Sequence, residues 1–248
     1  MNDKEGAADH QVGDVRQQKR ELFASHGRPP AFGFQVTASV GAARVGIMET
    51  PWGRVDTPVF MPVGTRGPIK TLTIEQTETI RPQIVLANTY HLLVNPGVDV
   101  VEALGGLHQF TGWNQGPILT DSGGYQVFSL SNSRTIDDNG VSFRSPRDGS
   151  WIRFTPTGTV DWQRRLGADF LMQLDEYPPW QCSDAEDELA VDRSIAWAMI
   201  GADVPLRSDQ VFLPIVQGST NPSLRKKSAD ALAALEAPAY AIGGLSVG

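Results

Sequence analysis

Cysteine is nearly absent: Cys182 is the only one in 248 residues. One thiol cannot form a disulfide framework, and it cannot build a thiolate zinc site from this chain alone. The pattern fits a reducing cytoplasm. No stretch reaches the roughly 18 apolar residues of a membrane span, so no membrane partner is expected. The first twenty residues, Met1 to Arg20, are polar and charged and lack the apolar centre of a signal peptide. Positive charge is in deficit, with 21 Lys and Arg against 28 Asp and Glu and a net charge of −7. That balance argues against a protein that coats nucleic acid without specificity, and leaves room for a local basic patch. The 25 glycines and 17 prolines follow no period, which excludes collagen-like and solenoid sequence.

Hydrophobic residues make up 40% of the chain, enough for the core of one large domain or two small ones. Large apolar residues are scarce before Pro30. Residues 1–30 are therefore expected to be a mobile or loosely docked extension, and 31–248 the folded part. Phe34, Val36 and Ala38 alternate with polar or small neighbours, as do Ala43, Val45 and Ile47. Pro51-Trp52-Gly53 is a turn signal, and Val55 to Met61 reads as a returning strand. Together they suggest an antiparallel entry layer.

Beyond it, short apolar runs alternate with helical stretches, the signature of βα units around a mostly parallel sheet. Five runs end in a polar side chain or a glycine pair. Ile84 to Ala87 ends at Asn88, Ile118 to Thr120 at Asp121, and Phe170 to Leu174 at Asp175. Phe212 to Val216 ends at Gln217-Gly218, and Tyr240 to Ile242 at Gly243-Gly244. In a parallel barrel all these ends share the C-terminal rim, where active sites form. Thr73 with Gln76 and Ser183 with Glu186 form capping boxes. Asn221-Pro222 starts a further helix whose face carries Leu224, Ala231, Leu232 and Leu235. Leu189, Ala196, Met199 and Ile200 form a similar stripe, read as core. A complete (β/α)8 barrel needs about 250 residues. With only about five barrel strands here, the expectation is an incomplete barrel, its remainder on further chain or a second polypeptide.

The chemistry concentrates at the strand ends. Asp121 can act as acid or base, Gly123 and Gly124 let a flat ligand approach the backbone, and Tyr125 offers a stacking face. Asp175 can accept from the N1–H and 2-amino group of a purine together. Gln217 can donate to a carbonyl, and Gly243 and Gly244 offer backbone N–H groups. Each residue alone has a plain structural reading, such as a helix cap.

Several longer strings carry a family resemblance. They are Met61-Pro62-Val63-Gly64-Thr65, Asn88-Thr89-Tyr90-His91-Leu92, Asp121 to Leu130, Gly140-Val141-Ser142-Phe143-Arg144-Ser145, Ile215-Val216-Gln217-Gly218, and Ile242 to Gly248. In order and spacing, from about Phe32 onward, the chain resembles the tRNA-guanine transglycosylases. That family exchanges guanine at the tRNA wobble position for a 7-deazaguanine base, in queuosine biosynthesis. The resemblance implies a modified (β/α)8 barrel and chemistry like a retaining glycosidase. Carried over residue by residue, Asp121 would be the general acid/base. Ser122, Gly123 and Gly124 would line the base pocket, and Tyr125 would stack on the ring. Asp175 would read the N1–H and 2-amino edge. Gln217 and Gly244 would bind the carbonyl side, with Gly243 also lining the base site and Leu245 near the position-7 substituent. His91 is read as structural.

The chain departs from the family pattern in places. The family's nucleophilic aspartate lies in a later strand, so no nucleophile is assigned in this chain. The zinc site, Cys-x-Cys-x-x-Cys plus His, and the main basic RNA-contacting segment also lie beyond residue 248, so no cofactor or metal is expected here. Arg66, Lys70, Arg134, Arg144 and Arg147 could touch phosphate, or be plain solvated charges. Tyr177 stands where bacterial members usually have cysteine. Val247 resembles the bacterial form, which takes the aminomethyl base preQ1. The implied partners are tRNA, the guanine or 7-deazaguanine base, and a second copy or a full-length subunit. Two alternatives to the enzyme stand at this point: a truncated or split, inactive paralogue that binds the base or a partner, and an unrelated barrel glycosidase.

Overall fold

The computed structural model describes residues 32–130, 134–179 and 181–245. The expected extension at 1–30 and the Val247 position lie outside the described residues. Three strands open the fold: β1 (Gly33–Val40), β2 (Ala43–Thr50) and β3 (Gly53–Thr57), antiparallel in that order. The Pro51-Trp52 turn joins β2 to β3, with Thr50 opposite Gly53. β1 departs from its alternating pattern: every one of its residues is exposed, Phe34 and Val36 included. Its alternation tracks pleat without burial. Buried Val55 and partly buried Met48 instead tie the layer to the main sheet. β3 also stops at Thr57 rather than running to Met61. Pro58 and Pro62 have no N–H to continue a ladder.

The main sheet is parallel. Its strands are β4 (Val63–Gly64), β5 (Val85–Asn88), β6 (Ile118–Asp121), β10 (Phe170–Met172) and β11 (Val211–Leu213), in the order β11-β10-β6-β5-β4. Apart from an inserted hairpin layer, spatial neighbours are consecutive in the chain. β4 was not legible beforehand, because two residues between Pro62 and the glycines of the next turn carry no period. The run Phe212 to Val216 is split: β11 ends at Leu213, and β12 (Ile215–Val216) pairs in parallel with β13 (Ala241–Ile242). Pro214 interrupts the ladder, and the buried Gln173 side chain accepts from the Ile215 N–H at 3.0 Å in its place.

Alternation sends the two faces of the sheet to different cores. Leu119, Phe170, Met172, Val211 and Leu213 pack together with Ile84 and Val55. The opposite face, with Val85, Ala87 and Ile118, meets the helices α2 (Thr89–Val94), α3 (Val98–Ala103), α4 (Leu107–Thr111) and the end of α6 (Pro156–Leu166). The capping boxes at Thr73 and Ser183 start α1 (Ile74–Ile80) and α7 (Asp184–Gly201), and Asn221 caps α8 (Pro222–Ala233). On α8, Leu224, Ser228 and Leu232 are buried. On α7 the expected stripe is turned outward: Leu189 and Ile200 are exposed, and the buried face is Asp187, Ala190, Val191, Ser194, Trp197, Ala198 and Gly201. Between α5 (Gly124–Leu130) and α6 lies an antiparallel layer, β7 (Arg134–Asp137), β8 (Gly140–Arg144) and β9 (Trp151–Phe154). Its Val141, Phe143 and Phe154 pack with Tyr90, Val127, Leu174 and Trp197 next to the strand ends.

Polar side chains pin the sheet. Gln163 on α6 is fully buried; it accepts from Thr120 Oγ1 (2.9 Å) and the Met172 N–H (2.8 Å) and donates to Met172 O (2.8 Å). At the opposite ends of the strands, Asp169 accepts from Trp52 Nε1 (2.8 Å) and the Ile118 N–H (2.7 Å) and lies 2.9 Å from His108 Nε2. Trp52 stacks on His108 with ring centroids 3.9 Å apart. This network fastens the entry layer to the sheet.

Candidate active site

The register β5–β6 sets Asn88 directly opposite Asp121 at the carboxyl ends of their strands. Asn88 Nδ2 donates to Asp121 Oδ2 at 2.5 Å, the Thr89 N–H to Oδ1 at 2.9 Å, and Gln126 Nε2 to Oδ2 at 3.0 Å. Burial raises the Asp121 pKa above the ordinary carboxylate value, and these hydrogen bonds hold it back. Asn88 and Gln126 were not singled out as partners of Asp121. Only their places, at the neighbouring strand end and one turn into α5, could have pointed to them.

Asp175 follows β10 past Leu174. Gln217 donates its amide N–H to Asp175 Oδ2, and Ser122 Oγ lies 3.4 Å from Oδ1. Burial pushes Asp175 up to about 6; the Gln217 and Ser122 hydrogen bonds lower it, and the Asp121 charge raises it. Each carboxylate keeps some surface open to solvent, yet protein packs around it on most sides. The two sense each other's charge, so they titrate as neighbours in one site.

Glycines make the close approach possible. A Cβ on Gly124 would lie 2.9 Å from Asp175 O and 3.2 Å from Oδ1. One on Gly243 would come within 2.7 Å of Gln217 Nε2. One on Gly244, whose φ is +75°, would lie 2.6 Å from Gln217 Oε1. Thus Asp121, Ser122, Gly124, Asp175, Gln217, Gly243 and Gly244, drawn from four strand ends, form one contiguous cluster. Gly123 (φ +80°) packs on Tyr90 and Phe154 behind it. Tyr125 and Leu245 stand at the edge with about half their surface exposed, 49% and 57%.

Arg225 on α8 was missed. Its guanidinium donates to the carbonyls of Ser219 (2.8 Å), Val216 (3.2 Å) and Gly243 (2.5 Å), and so fixes the loop after β13 against the loop after β12. No local pattern marks such a residue. Behind Asp175, α7 grips Glu176: Arg193 pairs with its carboxylate, and Ser194 Oγ accepts its N–H at 2.9 Å. Arg193 also reaches Asp138 of the β7–β8 turn (3.3 Å), and Trp197 Nε1 donates to Asp138 O at 2.7 Å.

The basic residues divide. Arg134 and Arg144 donate to the nearby carbonyls of Phe128 and Gly149, and Arg147 reaches across to the carbonyl of Val94 at the end of α2. Arg66 and Lys70 are exposed. His91 meets Tyr90 edge-on, with centroids 5.2 Å apart. Among the described residues no group of three His, Cys, Asp or Glu side chains is arranged to hold a metal ion, and no helix is long and apolar enough to cross a membrane.

A parallel α/β sheet whose strand ends gather two carboxylates, an amide and a glycine pair defines an enzyme-like rim site. Residues 39–248 match the family model described as queuine tRNA-ribosyltransferase. The queuine tRNA-ribosyltransferase of Gloeobacter violaceus is 50% identical over 218 residues, which are 88% of this chain and 57% of that protein. That of Thermus thermophilus is 48% identical over 217 residues, 88% and 56% of the two chains. That of a Nostoc species is 50% identical over 219 residues, 88% and 58%. The chain belongs to the queuine tRNA-ribosyltransferase family. It spans a little over half the length of the curated relatives it matches.

Proposed function

We propose that this chain carries the base-binding part of a tRNA-guanine transglycosylase, a pentosyltransferase that exchanges guanine in tRNA for a 7-deazaguanine base in queuosine biosynthesis. The observation that carries the reading is the convergence of Asp121, Asp175, Gln217, Gly243 and Gly244 around one space, from strand ends scattered over more than a hundred residues. The strand succession, each strand beside its chain neighbour, supports a barrel of the (β/α)8 kind.

In this reading the target nucleotide is turned out of the RNA stack into the rim. Asp175, ionised, accepts from the N1–H and 2-amino group of the base together. Gln217 turns its amide from Asp175 to the base carbonyl, next to the Gly244 backbone. Tyr125 covers the ring face. Asp121 protonates guanine as it leaves and takes the proton of the incoming base, a role that its raised pKa suits. The reading assigns none of the described residues to attack on the sugar. The incoming base is the aminomethyl form, on the ground of Val247. tRNA and the free base are the substrates, and a second copy or full-length subunit is the protein partner.

Two measurements test this. Incorporation of labelled guanine into tRNA reads the exchange, and calorimetry with guanine reads the pocket alone. Asp175→Ala leaves a purine edge unpaired, at about 1–3 kcal/mol per group, and guanine binding should be lost. Unchanged affinity in that variant would refute the role given to Asp175.

A further inference from the structure

Among the described residues two buried side-chain atoms have no hydrogen-bond partner: Gln126 Oε1 and Tyr177 Oη. Both belong to the framework of the candidate site. Gln126 gives its amide N–H to Asp121, which directs the carbonyl oxygen of the same amide elsewhere. Tyr177 lies two residues past Asp175, and its ring meets Tyr125, the neighbour of Gln126, edge-on with centroids 5.7 Å apart. The two residues belong to α5 and to the segment after β10, which come together at the Tyr125–Tyr177 contact and where Gly124 closes against Asp175.

A buried polar atom without a partner costs about 1–3 kcal/mol. Packing alone gives no reason for that hydroxyl, because phenylalanine would present the same ring to Tyr125. The cost is offset if a bound molecule supplies the missing partner.

We propose that Tyr177 is a specificity-determining residue: its hydroxyl hydrogen-bonds the nucleobase held between Asp121 and Asp175, and Gln126 Oε1 accepts from the same ligand. The inference rests on the reading of the site as a purine pocket. Its chemistry is specific. The ligand must offer an N–H or ammonium donor to Gln126, while the phenol can donate to a ring nitrogen or accept from an amine.

The test is Tyr177→Phe in the 248-residue chain, titrated with guanine and with 7-deazaguanine by calorimetry or saturation-transfer NMR. The ligand-free unfolding midpoint is measured alongside. Affinity should fall about three- to tenfold, the value of one hydrogen bond. The ligand-free midpoint should hold or rise, because a partnerless hydroxyl has been removed. A loss seen with guanine and absent with 7-deazaguanine, which has carbon at ring position 7, supports the proposal and puts the contact at that nitrogen. Equal affinities of variant and wild type overturn it. So does a lower midpoint at unchanged affinity, which would mark the hydroxyl as structural. If the wild-type chain binds neither base, the pocket reading itself falls, and this inference with it.

Discussion

Asp175 should weaken the folded protein it serves. Its carboxyl titrates near 3.8 in an unpacked chain and at about 6 in the fold, chiefly because burial disfavours the charge. Between those values the native state holds more protons than the unfolded state. Stability therefore falls as pH rises through that window, and the penalty is complete above about 6. At about 1.4 kcal/mol per pH unit, the full penalty is about 3 kcal/mol; partial solvent access reduces it, to about 1–3 kcal/mol. Asp175→Asn removes the charge and keeps an oxygen for the Gln217 N–H, and Ser122 Oγ stands ready to accept from the new amide. In urea unfolding at pH 7.5 the variant should be more stable than wild type by that amount. At pH 4.5 the advantage should shrink to about a third, since native Asp175 is then mostly protonated. Guanine binding should be lost at both pH values, because an amide cannot accept two N–H groups on that edge. A variant less stable than wild type at pH 7.5 would refute the reasoning. So would an advantage that ignores pH, because the raised pKa would then not be the cause.

Two further outcomes follow from the site's supports. Arg193→Met strands the Glu176 carboxylate, whose side chain is only 12% exposed, and should cost about 3 kcal/mol in chemical denaturation; adding Glu176→Gln should recover more than half, and simple additivity would count against the pair. Gly244→Ala combines a positive φ with a Cβ 2.6 Å from Gln217 Oε1, so it should cost about 2 kcal/mol or more and weaken guanine binding about tenfold. Gly149→Ala, at φ +73° with open space around the new methyl, gives the control: it should cost only the conformational part, about 1 kcal/mol, and leave binding unchanged.

The strand ends were legible because the signal is local. An apolar run that stops at Asn88 or Asp121 states both the strand and its polar terminus within six residues. At Asp175 and Gln217 the polar terminus was legible, but β10 stops at Met172 and the run before Gln217 splits at Pro214. Parallel register then does the rest, setting Asn88 beside Asp121 without any further instruction. What was not legible spans distance. Arg225 acts on carbonyls up to 18 residues away, and Gln163 ties β6 to β10 across 43 residues and nine. The failure on α7 is the most instructive. Leu189, Ala196, Met199 and Ile200 keep helical spacing, and yet Leu189, Ala196 and Ile200 face solvent and Met199 is only half-buried. The face that is buried carries Asp187, Ser194 and Trp197, because it meets a rim rich in polar backbone. Ser194 Oγ takes the Glu176 N–H, Asp187 accepts from Ser219 Oγ at 2.9 Å, and Trp197 reaches Asp138. A helix whose inner face must satisfy strand ends loses its apolar stripe to those partners. On such a helix, hydrophobic periodicity points away from the site, and the hydrogen-bonding residues Asp187, Ser194 and Trp197, at i, i+7 and i+10, are the ones that face it.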